Sequence, residues 1–434
     1  MIEDAIVPGP KGAAARMPFR RSAGQDTPTQ PAAAGTVLRG LMLPVFLPVV
    51  VTEVGNGAVT PVIVTTTHQF GGSTAVAALM VALLGIGRVL GDIPASVLAE
   101  KVGDRRAMLI AAGVSFVAYG TCLLSGSLFA YGAGLLVAGI ANATFYLARQ
   151  SYVIETVPTN MRARALSALG GSHRIGLFIG PLLGAGVITL WDVRAAYVVA
   201  IAANVVTIVL LAVVSSDESE ASTRARRVQE HGSGRVFADH WKLFATLGLA
   251  IIAVGAVRAA RQTVVPIWAL HIGLGPAQTS LIFAIASCVD MALFYPAGKV
   301  MDVYGRLAIA LPAMTILGVT MALLPLTHGL ITLTLVAMAM SFGNGIGAGI
   351  MMTLGADTAP VVGRLRFLGI WRVLGDSGNA VGPLVVSVIA SVASLAAGIV
   401  TVGSLGLLAS VGLYVLVPKY SPFAHRKRQP STTD

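Results

Sequence analysis

The sequence predicts an all-α integral membrane protein whose twelve transmembrane helices form two pseudo-symmetric six-helix bundles. Of its 434 residues, 55% are hydrophobic and only 11% are charged, with a mean hydropathy of +0.81. A soluble domain carries roughly 25% charged residues, so a single soluble domain is excluded. Long apolar runs alternate with short polar breaks, and a spanning helix takes about 20 apolar residues. In addition, the second half of the chain repeats the first.

The apolar runs place six helices in each half. The expected spans are 37–66, 74–98, 107–126, 129–155, 165–190 and 195–214, followed by 243–271, 278–300, 307–327, 330–355, 367–392 and 394–417. They form bundles over 37–214 and 243–417, joined by a polar loop over 215–242 and followed by a tail over 418–434. Residues 1–36 are polar and lack the apolar core of a secretory signal, so we expect a disordered tail.

Basic residues orient the chain. Of 30 Lys and Arg, 23 fall in the tails, in the loops on one side or at the helix ends beside them, whereas the opposite loops contain only Arg194. Translocation of Lys and Arg is disfavoured, so both termini are expected in the cytoplasm of a multi-pass protein of the plasma (inner) membrane. This topology accounts for the net charge of +11 without a nucleic-acid partner.

A constant shift of 202 residues relates the two halves. It pairs Pro94 with Pro296, Gly103 with Gly305, Asn142 with Asn344, Glu155-Thr156 with Asp357-Thr358, and Gly180-Pro181 with Gly382-Pro383. Transporter folds are commonly built from such repeats. Helices two to five and eight to eleven are therefore duplicated and share one orientation in the membrane.

The loops after the second and eighth helices carry the same motif. Each has a carboxylate at a helix end, a glycine able to adopt positive φ in a tight reversal, and basic residues at the membrane surface. The motif residues are Glu100, Gly103, Arg105 and Arg106 in the first copy and Asp302, Gly305 and Arg306 in the second.

A glycine-rich motif lies in the fifth and eleventh helices. Glycines four residues apart share one helix face and allow close backbone approach, and proline bends the helix. The residues are Gly176, Gly180, Pro181 and Gly184 in the fifth helix and Gly378, Gly382 and Pro383 in the eleventh.

Together these features resemble the major facilitator superfamily over residues 37 to 417. The two loops resemble its motif A, and the fifth-helix segment is similar to motif C of its proton-antiporter branch. The resemblance implies a transporter that works by alternating access, with motif A acting as a cytoplasmic latch. It also implies a monomeric protein whose partners are a small-molecule substrate, protons and the lipid bilayer.

Ten charged residues lie within the predicted helices, away from their ends. They are Arg88, Arg149, Arg174, Arg258, Arg261, Arg372, Glu53, Asp92, Asp290 and Asp376. Each costs at least about 2.5–3.5 kcal/mol near a helix centre unless it faces protein, water or a partner, so none should face lipid. The spacing of Arg88 with Asp92, and of Arg372 with Asp376, also allows two local structural pairs.

Glu53, about 15 residues into the first helix, is the leading candidate for proton coupling. Burial disfavours its charged form, which suits a group that binds and releases a proton. The alternatives are a structural hydrogen bond or a pair with an arginine from another helix. Asp92 and Asp290 are further candidates, and a salt bridge from Asp290 to Arg258 or Arg261 is equally consistent with the sequence.

Arg258 and Arg261 share a face of the seventh helix, which the resemblance places at the substrate cavity. Six buried arginines against four acids leave a surplus of two, which could attract an anionic group. For every cavity candidate, a packing role remains the alternative. The other candidates are Gln262, Asn142, Arg149, Arg174, Asn344, Arg372 and Asp376.

The sequence lacks the motifs of other classes of membrane protein. An ATP-driven pump needs a phosphate loop ending in Gly-Lys-Ser/Thr, whereas Gly298-Lys299 is followed by valine. The seven histidines are scattered, so no enzyme, cofactor or metal site is predicted. The favoured function is proton-coupled efflux of small amphiphilic or drug-like molecules. Proton-coupled import of a small organic anion is the alternative, and a membrane sensor on the same fold is a third.

Overall fold

The computed structural model describes residues 39–157, 162–213, 237–360 and 364–425. Within these ranges twelve helices are long and apolar enough to cross a membrane, which confirms the predicted fold class. As α1 to α12 they are Met42–Gln69, Thr74–Val102, Asp104–Leu124, Leu128–Thr156, Arg162–Leu190, Ala195–Val213, Trp241–His271, Pro276–Tyr304, Leu307–Leu326, Leu330–Thr358, Arg364–Val392 and Leu395–Tyr420.

Some helices extend beyond the apolar runs that predict them. α2 continues to Val102 instead of ending near residue 98, and α12 continues to Tyr420 instead of 417. The added turn of α2 contains Lys101, which hydropathy places outside the membrane. Backbone hydrogen bonds do not require apolar side chains and a lysine can extend its stem towards water, so the helix continues until Gly103 ends it.

The repeat also appears in irregular helical turns. A π-helical turn covers Met42–Phe46 in α1, and another covers Phe244–Gly248 in α7, 202 residues later. This agreement indicates that the duplication includes the first and seventh helices. α1 also contains a 3₁₀ turn at Thr60–Val62, where Pro61 lacks the N–H of a regular helix.

Each set of six helices packs in the same pattern. α1 lies against α5 and α6, α2 against α4, and α3 against α4 and α6. In the second set α7 lies against α11 and α12, α8 against α10, and α9 against α10 and α12. Adding six to each helix number converts the first pattern into the second. The two sets meet mainly along two helix pairs, α2 with α11 and α5 with α8.

The two sets also touch at the end of the bundle opposite Gly103 and Gly305. Residues 60–69 of α1 pack against α7 and α8. The hydroxyl of Ser387 on α11 donates to the carbonyl oxygen of Ala75 on α2 at 2.8 Å. These contacts hold the halves together at that end of the bundle. The charges predicted inside the membrane lie at the centre instead.

Candidate functional site

A central cavity of about 280 Å³ lies between the two sets of helices. Six of the ten charges predicted inside the helices line it, namely Arg88, Arg174, Arg258, Arg261, Asp290 and Asp376. Asp92 and Arg372 line an adjoining cavity of about 170 Å³, and Glu53 and Arg149 lie behind the cavity residue His173. The structure therefore brings all ten charges to the centre of the protein.

Glu53 lies in a buried cluster formed by α1, α4 and α5. Its Oε1 is 3.3 Å from Nη1 of Arg149, and the two side chains are only 3% and 2% exposed. Nδ1 of His173 lies 2.9 Å from the same oxygen, but the two atoms are not aligned for a hydrogen bond. Asn56 donates to Oε2 at 3.2 Å. Of the roles open to Glu53, a pair with an arginine from another helix is therefore present.

Tyr146 completes this cluster. Its hydroxyl lies 3.1 Å from Nε2 of His173, and the guanidinium carbon of Arg149 lies 3.4 Å from the centre of its ring. A guanidinium over an aromatic face is attracted by the ring quadrupole. The buried positive charge of Arg149 is thus balanced by the carboxylate of Glu53 and by the ring of Tyr146.

A polar chain connects Glu53 to the cavity. Nδ2 of Asn56 also donates to Oδ1 of Asn142 at 3.3 Å, and the hydroxyl of Tyr119 donates to Oδ1 of Asn56 at 2.7 Å. Asn56, Tyr119 and Asn142 all line the central cavity. Asn142, predicted as a cavity residue, therefore lies within two hydrogen bonds of the proton candidate.

An ion pair joins the two sets of helices through α5 and α8. Nη1 of Arg174 donates to Oδ2 of Asp290 at 2.5 Å and to the Asp290 carbonyl oxygen at 3.1 Å. Asn344 donates to the other carboxylate oxygen at 2.7 Å. The expected bridge from Asp290 to Arg258 or Arg261 is wrong, because an arginine from the other half occupies this carboxylate.

Within the part of the chain that the structure describes, Arg258 and Arg261 donate hydrogen bonds to uncharged acceptors. Nε of Arg258 donates to Oδ1 of Asn344 at 2.8 Å, and Nη1 of Arg261 donates to Oγ of Ser341 at 2.6 Å. Among the described residues, no carboxylate lies within 4.0 Å of either guanidinium, and Nε of Arg261 is buried without a partner. Gln262 lies on the same wall. This wall of α7 is electropositive and can bind an acidic group.

Four charges face one another where α2 meets α11. Arg372 is 3.4 Å from Asp376 on its own helix and donates to Oε1 of Gln150 on α4 at 3.3 Å. Arg88 and Asp92 make no ion pair within 4.0 Å in the described structure, and Nε of Arg88 and Oδ2 of Asp92 are buried without hydrogen-bond partners. The expectation of local pairs is therefore correct for α11 and wrong for α2, because sequence spacing brings two residues to one face without fixing where their side chains point.

The two repeated loops reverse the chain as their glycines predict, since φ is 86° at Gly103 and 94° at Gly305. Nε of Arg105 donates to the carbonyl oxygen of Leu211 at 2.8 Å, which ties the start of α3 to the end of α6. Arg106 is exposed. The side chains of the two motif carboxylates lie outside the described part of the structure; these residues are Glu100 and Asp302.

In the second loop, Arg306 forms a two-pronged ion pair with Asp357 at the end of α10. The two N–O distances are 2.9 and 3.3 Å. Ser421, just after α12, donates to the same carboxylate at 3.0 Å. This loop is therefore held to both α10 and the end of α12.

The glycine motifs permit close helix packing, as their spacing predicts. In α5, Gly180 lies against the backbone of Val54 and Ala58 of α1, and in α11, Gly382 lies against the backbone of Ala256 of α7. The remaining motif glycines make equivalent contacts: Gly176 and Gly184 with α1, and Gly378 with α7. Pro181 contacts Gly57 of α1, and Pro383 lines the central cavity.

Sequence reasoning missed several polar residues of the site, namely Asn56, Tyr119, His173, Ser341 and Asp357. Two had a usable signal. Asn56 follows Glu53 by three residues and so shares its helix face. His173 directly precedes Arg174 within an apolar helix, where a second polar group also needs a partner.

Comparisons with known proteins agree with this architecture. The sequence profile described as Major Facilitator Superfamily matches residues 45–260 and 247–432. The chain is 26% identical over 251 residues to the multidrug resistance protein MdtH of Shigella boydii serotype 4, and 25% identical to MdtH of Escherichia coli K12. Each match covers 57% of this chain and 60% of the relative, so the chain spans less than two thirds of the length of these relatives.

Solved transporter structures share the fold at low sequence identity. A POT family transporter in complex with 5-aminolevulinic acid superimposes with a TM-score of 0.71 at 13% identity, covering 88% of this chain and 96% of that one. The human organic anion transporter MFSD10 superimposes with a TM-score of 0.62 at 16% identity, covering 88% and 100%. At these identities the likeness concerns the fold alone.

Proposed function

The chain belongs to the major facilitator superfamily, and we propose that it is a secondary active transporter that exports small amphiphilic or drug-like molecules in exchange for protons. The observation that carries the proposal is the central cavity, which lies between two duplicated bundles and collects the charges of the membrane interior. Such a cavity between two repeats is suited to alternating access, because rocking one repeat against the other opens it to one side at a time.

The Glu53 cluster supports proton coupling. Glu53 is only 3% exposed, whereas 25% of the His173 side chain is exposed and the residue lines the cavity. We propose that a proton entering from the cavity reaches Glu53 by way of His173, whose Nδ1 lies 2.9 Å from the carboxylate, with Arg149 setting the charge balance. Of the other proton candidates, Asp290 is paired with Arg174, as Glu53 is with Arg149, while Asp92 keeps a buried oxygen without a partner among the described residues.

Export is supported by the relatives and by the glycine motif. The curated relatives are named multidrug resistance proteins, and the glycine segment of α5 resembles motif C of the antiporter branch. The distribution of basic residues supports a multi-pass inner-membrane protein with both termini in the cytoplasm. We propose that it works as a monomer.

Flux into proteoliposomes under an imposed pH gradient tests this function. An exporter working by exchange accumulates substrate in everted vesicles when their lumen is acid. Glu53→Gln should abolish gradient-driven flux but keep substrate counterflow, because exchange of substrate for substrate needs no proton release. The matched control is Asp192→Asn, which neutralises an exposed carboxylate and should leave both fluxes unchanged. Coupled flux that persists in Glu53→Gln removes Glu53 from the mechanism.

The second candidate is proton-coupled import of a small organic anion. The observation that favours it is the wall of α7, where Arg258 and Arg261 face the cavity without a carboxylate. An importer of this kind takes up substrate when the outside is acid, so uptake that collapses with an acid lumen contradicts export. Arg258→Gln and Arg261→Gln should then raise the KM for a carboxylate substrate about tenfold, the loss of one charged hydrogen bond.

A further inference from the structure

The register between α2 and α11 places opposite charges at the same level. A side chain at Gly85 of α2 would collide with the backbone of Asn379 of α11, so these two residues face each other. Ser387 bonds to Ala75 further along the same helix pair, which shows that the helices run antiparallel. Arg88 follows Gly85 by three residues and Asp376 precedes Asn379 by three, so Arg88 and Asp376 lie at the same level. Four residues further along each helix in the same direction, Asp92 lies level with Arg372. We call these four charged residues the switch cluster.

In the present structure the switch cluster is paired poorly. Asp376 is taken by Arg372 on its own helix, and the carboxylates of Asp92 and Asp376 act on each other as like charges. Nε of Arg88 and Oδ2 of Asp92 remain buried without partners. These four side chains and residues of α4 line a cavity of about 170 Å³, which is the cleft beside the two helices at this level. Arg88 and Asp92 are thus level with opposite charges on α11 but form no ion pair with them among the described residues, and Arg372 donates instead to Gln150 of α4.

In the repeat, the ion pair that matches Arg88 and Asp376 is already formed. The 202-residue shift relates Arg88 to Asp290 and Asp376 to Arg174, and these two mates form the cross-half ion pair of α5 and α8. The mates of Arg372 and Asp92 are Gly170 and Phe294, which carry no charge. The positions of α5 and α8 that match Arg372 and Asp92 therefore carry no competing charge, whereas Asp376 has Arg372 on its own helix.

We propose that the switch cluster exchanges partners when the cleft between α2 and α11 closes. Asp376 leaves Arg372 and pairs with Arg88, and Arg372 pairs with Asp92. Both new ion pairs cross the interface, and all four charges are matched. Arg174 and Asp290 remain joined and act as the tie about which the halves rock.

The exchange stabilises closure at one end of the transporter. Asp92 and Arg372 lie nearer than Arg88 and Asp376 to the loops of Gly103 and Gly305, so the new pairs close that end. Unmatched charges in the membrane interior are costly, and the exchange removes two of them. The free energy gained by the exchange therefore offsets the contacts that are lost where the opposite end opens. The inference rests on the alternating access of the proposed function.

Distance measurements between spin labels test the exchange without any substrate. Val97→Cys and Gly369→Cys place labels on exposed positions of α2 and α11 near the closing end, in a full-length chain whose native Cys122 and Cys288 are replaced by serine. In lipid nanodiscs the parent should show a short and a long distance, for the closed and open cleft. A single, long distance in the parent overturns the proposal.

Arg88→Gln is the diagnostic variant. Arg88 has no ion pair with any residue that the structure describes, so a role limited to this structure leaves the ratio of the two populations unchanged. The exchange predicts that the short-distance population falls about tenfold relative to the long one. Asp92→Asn removes the other new pair and should act in the same direction, which covers the case in which Arg88→Gln does not fold. A ratio within twofold of the parent in the folded variants overturns the proposal.

Charge reversal provides the rescue. Arg88→Asp alone should suppress the short distance, and adding Asp376→Arg should restore it to the parent level or above, because the new arginine also repels Arg372 in the open cleft. The matched control at the tie is Arg174→Gln, which should lower the Tm but change the ratio less than twofold. Failure of the flux assays overturns the proposed function and leaves these distances interpretable. A rescue that fails overturns only the exchange.

Discussion

The buried pair of Glu53 and Arg149 makes a quantitative prediction about stability. Glu53→Gln leaves Arg149, which is 2% exposed, without a carboxylate within 4.0 Å among the described residues. Breaking a buried ion pair by removing one partner costs about 3–5 kcal/mol. The ring of Tyr146 lies 3.4 Å away and remains attractive, so the lower half of that range is expected.

The opposite single variant should be milder. Arg149→Met leaves Glu53 with the His173 ring at 2.9 Å and the Asn56 amide at 3.2 Å, so the carboxylate keeps two partners. Because these contacts retain part of its compensation, the cost should be about 2 kcal/mol. The double variant contains no unpaired charge at this position, so its cost should be well below the sum of the single costs. The predicted coupling energy is about 2–3 kcal/mol.

Reversible unfolding in mixed detergent micelles, with increasing dodecyl sulfate, measures the free energy for the parent and the three variants. Arg194→Gln on the exposed loop is the control and should stay within about 0.5 kcal/mol of the parent. If the double variant loses the sum of the two single costs, the ion pair contributes nothing beyond its separate residues, and the charge balance assigned to this cluster is refuted.

Two further predictions concern glycines and are measured by thermal unfolding of the purified variants. Gly180→Ala forces α5 away from the α1 backbone and should cost about 1–3 kcal/mol, whereas Gly186→Ala on the same helix meets open space and should be neutral or slightly stabilising; equal Tm values would contradict the packing role. Gly305→Ala places a side chain at φ 94° against the backbone of His425 and should cost at least about 1–2 kcal/mol, whereas Gly298→Ala, also in open space, should not lower the Tm.

Much of the fold could be predicted from the sequence because its determinants are local or repeated. The positive φ of Gly103 and Gly305 follows from a helix reversal, and the close contact of Gly180 with α1 follows from glycines on one face. The twelve spans follow from apolar length. In each case, the inference needs only residues that are near one another in the chain or related by the shift.

The charge partners could not be predicted, because they depend on contacts between distant helices. Arg174 meets Asp290 across 116 residues and across the two halves, and nothing near Asp290 in sequence distinguishes Arg174 from Arg258. Arg88 and Asp92 have the sequence spacing of an ion pair, but their side chains do not point towards each other. The sequence supplied the set of ten charges correctly and left their pairing to the packing of the bundles.

The ten central charges also bear on how the chain enters the membrane during synthesis. They lie in α1, α2, α4, α5, α7, α8 and α11, whereas the interiors of the other helices carry none. Glu53 emerges 96 residues before Arg149, and Arg174 emerges 116 residues before Asp290. Until its partner is synthesised, each early charge must contact the insertion machinery, water or another helix, because an unpaired charge that faces lipid is costly. A chain truncated before α4 would contain Glu53 without Arg149, which makes such fragments poor candidates for stable insertion.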